Sequence, residues 1–330
     1  MKSWLQMGIW MSVFLMVACT SEDQHRRIER EGFGLKNGKI KALSTIAMIG
    51  DIVQQVGGEH VDNLTLMRGD LDPHTYQLVK GDDEKLAYAD VVFYNGLGLE
   101  HGPSLQRFLE SNKKAVGLGN KIIKDYPSLV IYSQGQIDPH IWMDMAIWAK
   151  IIPYIVEVLS INDPMHADVF HTNGEKLMQD LLQSDQEIKY ELGLIPSERR
   201  YLVTSHDAFN YFARAYLATQ EERINGKWVQ RVASPEGLAP ESQLSTSHIQ
   251  EIIDYLSKHR IQVIFPESNV SKDSLRKIIS AGKEKGLNIT IAPCCLYADA
   301  MGAAGSSGET YQKMIQHDAD WIKKCLKVDG

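Results

Sequence analysis

The chain has 330 residues, 44% hydrophobic and 23% charged, which is enough apolar material for a sizeable core and, by length, for two domains. The formal net charge is −7 and no basic stripe is present, so nucleic acid is excluded as an expected partner. Such a balance otherwise describes a soluble chain, expected to be a monomer.

The first segment is unlike the rest. Residues 1–18 read as a signal peptide: Lys2 precedes a mostly apolar run from Trp4 to Ala18, short for a membrane span. The run stops at Cys19 behind Met16, Val17 and Ala18. This resembles a bacterial lipoprotein signal, in which the cysteine carries lipid, although Met16 stands where leucine is usual. Attachment to a membrane through Cys19 and a periplasmic location are therefore expected. Residues 19–38 are polar and read as a flexible tether. No later segment reads as able to span a bilayer.

From Lys39 strands and helices alternate. "IKALSTIAMI" reads as strand, "GDIVQQVGG" as helix, "VDNLTLM" as strand, "DDEKLAYAD" as helix, "VVFYNGLG" as buried strand and "PSLQRFLESN" as helix. Residues 39–162 thus form an N-terminal α/β lobe with a mainly parallel sheet flanked by helices. Residues 163–194 have no proline after Pro164, and Val169, Leu177, Leu181, Leu182 and Ile188 recur at roughly helical spacing. With Asp163 as N-cap, a helix of about thirty residues would run about 45 Å, a strut between lobes. Residues 195–330 repeat the alternation as a C-terminal α/β lobe. "YLVT", "IQVIFPE" and "NITIAP" are strands, "SHIQEIIDYLSKH", "SKDSLRKIISAGKEKG" and "ETYQKMIQHDADWIKKCL" are helices, and a further helix starts near Asp207. Cys294, Cys295 and Cys325 lie in an exported chain, where disulfides persist. Neighbouring cysteines hardly bond each other, so a bridge from Cys325 to Cys294 or Cys295 is expected.

The chemistry-bearing residues collect at loops. "DLDPHTYQ" (Asp70–Gln77) and "IDPHIWMD" (Ile137–Asp144) share Asp-Pro-His and place His74 and His140 outside any helical pattern. His206 directly follows the strand "YLVTS", and Asp299 in "CCLYADAMG" follows "NITIAP". Ligands of open α/β sheets gather beyond the carboxyl ends of strands. Three imidazoles and one carboxylate make a complete four-ligand set for a divalent transition metal. They suit Zn²⁺, Mn²⁺ or Fe²⁺ and lack the thiolates that select Cu(I). Asp72, Asp138, Glu241 and Glu267 are candidates to orient the ligands, since ligating histidines usually donate their other N–H to an oxygen.

"RGDLDPHTYQLVKGDDEKLAYADVVFYNGLGLE" resembles the signature of the cluster A-I (TroA/ZnuA/PsaA-like) metal-binding proteins, which are solute-binding components of bacterial zinc, manganese and iron ABC importers. The similarity continues through "DPHIWMD", "NDPMHADVFHTNGEKLMQDLLQ", "TSHDAFNYFARAYL", "IFPESNVS" and "LYADAMG", nearly the whole mature chain, and is greatest to chlamydial members. It implies two α/β lobes joined by one long helix, with one metal ion held between them by His74, His140, His206 and Asp299. It also implies an ABC permease and its cytoplasmic ATPase as partners; this chain has no GxxxxGK[ST] of its own. By the resemblance, histidine at position 206 is as in zinc-type and treponemal-type members, whereas the histidine-rich loop of zinc-dedicated members is absent. An exported metal-dependent hydrolase is the rival reading, but no HExxH occurs and four protein ligands leave no open position for catalysis. A surface adhesin with a structural metal is the third.

Overall fold

The structure is a computed structural model and describes residues 27–133, 135–239 and 245–327. The expected signal peptide, Cys19 and the first part of the tether lie outside the described residues. Within the segment read as a tether, residues 27–34 form a helix, α1, whose Phe33 is buried and whose Arg30 pairs with Glu84 at 3.2 Å.

The first lobe runs β1 (Ile40–Ser44), α2 (Ala47–Gly57), β2 (Val61–Thr65), α3 (Asp82–Tyr88), β3 (Val91–Tyr94), α4 (Pro103–Ser111), β4 (Ala115–Gly117) and α5 (Leu118–Asp125). The strands pair in parallel in the order β2-β1-β3-β4. The apolar run Ile40–Ile49 is not one strand but strand then helix. Short apolar runs do not distinguish the two by pattern. Here Gly50 lets α2 lie directly on β2, since a Cβ at that position would collide with the Thr65 side chain. A small hairpin, β5 (Tyr132–Ser133) with β6 (Gln136–Ile137), precedes the helices α6 (Met145–Trp148) and α7 (Ile152–Asn162).

By length and composition Met145–Asn162 is apolar enough to cross a membrane, contrary to the reading of the sequence. Half of it is buried, with Trp148, Ile152, Ile155 and Leu159 in the core. It is a core helix packed against α2 and the long helix that follows.

That long helix, α8, spans Ala167–Gly193, 27 residues or about 40 Å. Its buried stripe is Phe170, Gly174, Leu177, Leu181, Ser184, Asp185, Ile188 and Leu192, a clean 3.6-residue period. Val169 and Leu182, read from the sequence as part of the stripe, are instead about 40% exposed. Gly174 lies against Val156 and Ile152 of α7, so the two helices approach closely.

The second lobe runs β7 (Leu202–Val203), α9 (Asn210–Phe212), α10 (Gln220–Asn225), β8 (Val232–Ala233), α11 (Thr246–His259), β9 (Val263–Ile264), α12 (Asp273–Glu284), β10 (Thr290–Ile291) and α13 (Tyr311–Leu326). β7 pairs with β8 and β9 with β10, both in parallel, and Phe265 N donates to Val203 O at 2.8 Å to bring β9 beside β7. The resulting order β8-β7-β9-β10 repeats that of the first lobe. α13 returns across the molecule: Tyr311 N donates to Asp51 of the first lobe (3.0 Å), and Gln312 donates to Ser184 of α8 (2.6 Å).

Cys294, Cys295 and Cys325 are all free thiols, so the expected bridge is not formed. Cys294 Sγ contacts His317 Nε2 at 3.4 Å.

Candidate metal centre

Each lobe's sheet changes winding direction between its first and third strands, and such switch points are where α/β proteins hold ligands. His206 follows β7 and Glu267 follows β9, at the switch point of the second lobe. His74 lies in the loop after β2, and Asp299 in the loop after β10.

The repeated Asp-Pro-His has a local explanation. In the first copy Asp72 Oδ1 accepts the backbone N–H of His74 (2.8 Å); in the second Asp138 Oδ1 accepts that of His140 (2.9 Å). Both are Asx turns, and the intervening proline has no N–H to compete for the carboxylate. The copies then diverge. Asp138 Oδ1 also accepts His140 Nδ1–H at 2.7 Å, but the second oxygen of Asp72 accepts Thr75 Oγ1–H at 3.0 Å. Asp72 therefore sets backbone geometry, while Asp138 also fixes the imidazole. In the second lobe Glu267 Oε1 accepts the N–H groups of Ser205 (2.8 Å) and His206 (2.9 Å), and Oε2 accepts His206 Nδ1–H. Glu241, the other acidic candidate, lies outside the described residues.

With Nδ1 of His140 and His206 committed to carboxylates, their Nε2 atoms face inward. His74 Nε2 and His140 Nε2 lie 3.3 Å apart. Asp299 presents Oδ2 to His206 Nε2 (3.1 Å) and His74 Nε2 (3.8 Å), and Oδ1 to His140 Nε2 (3.4 Å). The four residues each offer an atom within 4.8 Å of all the others, and all four are buried. Neither oxygen of Asp299 has a well-directed hydrogen-bond donor. Asp299 is therefore balanced only by the imidazoles around it, His206 Nε2 being nearest, and a cation among the three imidazoles can take over that role.

The electrostatics agree. Burial pushes His74 down to about 3, a neutral imidazole with a lone pair to give. Burial also acts to lower His206, but Glu267 and Asp299 on either side outweigh it and hold this histidine well above its usual range. Asp299 is opposed by burial yet held well below the usual carboxylate range by His206, His140 and His74.

The sequence pattern of the family described as "Zinc-uptake complex component A periplasmic" (ZnuA) matches residues 43–325. The chain belongs to the ZnuA family. Within it, the chain is 37% identical over 313 residues to the metal-binding protein YtgA of Chlamydia muridarum, covering 95% of this chain and 91% of that protein. It is 32% identical to the manganese-binding lipoprotein MntA of Bacillus subtilis, covering 99% of this chain and all of that one. The crystal structure of Fe(III)-bound YtgA from Chlamydia trachomatis superposes with a TM-score of 0.82 at 36% identity, over 87% of this chain and 97% of that chain. ZnuA-family relatives are the metal-binding, substrate-binding components of ABC transporters, a role that implies a permease partner; they are not enzymes, and the hydrolase reading falls. The two-lobed α/β fold expected from the sequence is that of this family.

Several residues that hold the centre escaped the sequence reading. Trp142 Nε1 donates to Ala298 O (2.9 Å), tying the His140 loop to the Asp299 loop across the lobe boundary. Asn210 Nδ2 donates to Asp138 Oδ2 (3.0 Å) and Tyr211 O–H to Asp138 O (3.1 Å), so the second lobe props the carboxylate that orients His140 in the first. Asn95 Nδ2 donates to Pro139 O (3.0 Å). All four partners are distant in sequence, so no local spacing marks them.

Proposed function

We propose that this chain is an exported solute-binding protein that captures one divalent transition-metal ion, Zn²⁺, Mn²⁺ or Fe²⁺, on His74, His140, His206 and Asp299, and delivers it to an ABC permease driven by a cytoplasmic ATPase. Lipid on Cys19 anchors it in the periplasm, where it works as a monomer. The observation that carries this reading is the convergence of four buried donor atoms from four separate loops, two from each lobe. Neutral imidazoles with one carboxylate fit these ions and offset part of their charge. With α8 and α13 bridging the lobes, release involves modest loop and lobe movement rather than wide opening.

Metal analysis of protein purified without added metal, followed by competition titration with the three ions, is the direct test. One ion per chain is expected, and His140→Ala is expected to weaken binding more than about 100-fold, since replacing even an orienting partner costs roughly 10–100-fold. Full-affinity binding by that variant would remove the assignment.

Glu267→Gln separates orientation from ligation. The side chain keeps its shape but loses the charge that holds the His206 imidazole. Affinity is expected to fall about 10–100-fold at unchanged stoichiometry, as read by chelator competition. An unchanged constant would mean that Glu267 serves only the backbone of Ser205 and His206.

A further inference from the structure

The four proposed ligands are buried, yet an ion has to reach them from water. A cleft of about 660 Å³ touches one of them: His74 lines it, together with His101 and Glu110 of the first lobe and Leu238 and Ala239 of the second. His101 is exposed, and its ring centroid lies 5.6 Å from that of His74.

The loop that carries His101 is held in an unfavourable shape. Gly96, Leu97 and Gly98 all have left-handed backbone, with φ of +76°, +56° and +84°. Glycine adopts this freely, but for leucine the Cβ makes it unfavourable. Such strain persists where the surroundings enforce it, and it concentrates at functional sites. Here the buried carboxylate of Glu100 enforces it, accepting Thr45 Oγ1–H (2.7 Å), Asn95 N–H (2.8 Å) and Gly96 N–H (2.9 Å). His101 follows immediately. Its Nδ1–H is directed at Gly98 O (3.1 Å), which leaves Nε2 with its lone pair free for a ligand bond.

We propose that His101 is an outer docking ligand for the hydrated divalent transition-metal ion. The ion exchanges a water for His101 Nε2 at the cleft, passes to His74 and the inner set, and leaves by the same step. The Glu110 carboxylate in the same cleft adds to the attraction of a cation. This proposal rests on the inner site as assigned above. Because His101 touches the ion only in passing, it speeds capture and release alike and leaves their ratio unchanged.

Trp142 reports the event, since its ring meets that of His140 edge-on at 5.3 Å. Metal-free protein would be mixed with Zn²⁺ in a stopped-flow instrument and tryptophan emission followed; loaded protein would be mixed with excess chelator for the reverse rate. For His101→Ala both rates are expected to fall about tenfold, within the range over which a cleft's field and donors alter association, with the dissociation constant within about twofold. His101→Asp restores a donor atom and is expected to recover most of the rate, which a purely structural role for the imidazole would not give. Unchanged rates in His101→Ala overturn the proposal, as does a weakened equilibrium constant with an unchanged association rate, which would make His101 a permanent ligand. Absence of Zn²⁺ binding by the unaltered protein is a separate result: it removes the inner site itself.

Discussion

Asp299→Asn is expected to leave the fold intact and to abolish tight binding of Mn²⁺ and Fe²⁺, with a smaller loss for Zn²⁺. Asp299 is the single anion among the four proposed ligands and is buried. Its replacement is nearly isosteric, so the loop held by Trp142 should keep its place and far-UV dichroism should not change. What disappears is the charge that offsets the cation in a site with little water, which is worth far more there than at a surface. Zinc can complete a tetrahedron from three imidazoles and a water. The harder, higher-coordination ions depend more on carboxylate oxygen, for which a bidentate Asp299 could supply two atoms. A loss beyond about 100-fold is expected for Mn²⁺ and Fe²⁺, larger than for removal of an orienting partner. Competition titrations with all three ions decide it. Equal losses would mean that Asp299 does not tune selectivity; no loss would place the fourth ligand elsewhere.

Acidification is expected to release the ion, and the protons involved are specific. In the metal-free protein Glu267 and Asp299 hold His206 well above its usual range, against the effect of burial. At neutral pH this imidazole carries a proton on the nitrogen the metal needs. Binding must expel it, so below the raised pKa each unit of acid weakens apparent affinity by about tenfold from His206 alone. The sign follows: acid favours the metal-free form, and affinity recovers as pH rises towards the raised value. His74, pushed down to about 3 by burial, adds no proton over the same range. Three free histidines would instead all titrate near pH 6.5 and give a threefold slope. Calorimetry in buffers of differing protonation enthalpy counts the protons released. A count near zero at pH 7 would contradict the charged state of His206, and a count approaching three at about pH 5 would contradict the neutral state of His74.

Much of the candidate centre is legible in the sequence. His74, His140, His206 and Asp299 stand out because a strand end or a proline turn precedes each, and strand ends are where this fold class places ligands. The two-lobed α/β class follows from alternation of strand and helix patterns, and the strut from a long stretch of helical periodicity that only its inner face obeys. These are local properties, carried by a few consecutive residues.

What the sequence left open depends on residues far apart in the chain. Whether Ile46–Ile49 extends β1 or opens α2 rests on the contact of Gly50 with Thr65 on the neighbouring strand. Two-residue strands such as β8 are strands only because β7 lies beside them. Asp72 and Asp138 occupy the same place in the same motif, yet Asp138 alone orients an imidazole, with Asn210 and Tyr211 of the other lobe bearing on it. The three cysteines lie within 32 residues of one another, yet all three are free thiols in the fold, and Cys294 meets His317 instead. Composition and pattern determine which side chains stand at the ends of strands. Packing between lobes decides which of them converge and which carry charge, because burial and neighbouring carboxylates act over a few ångströms in space, whatever the distance along the chain.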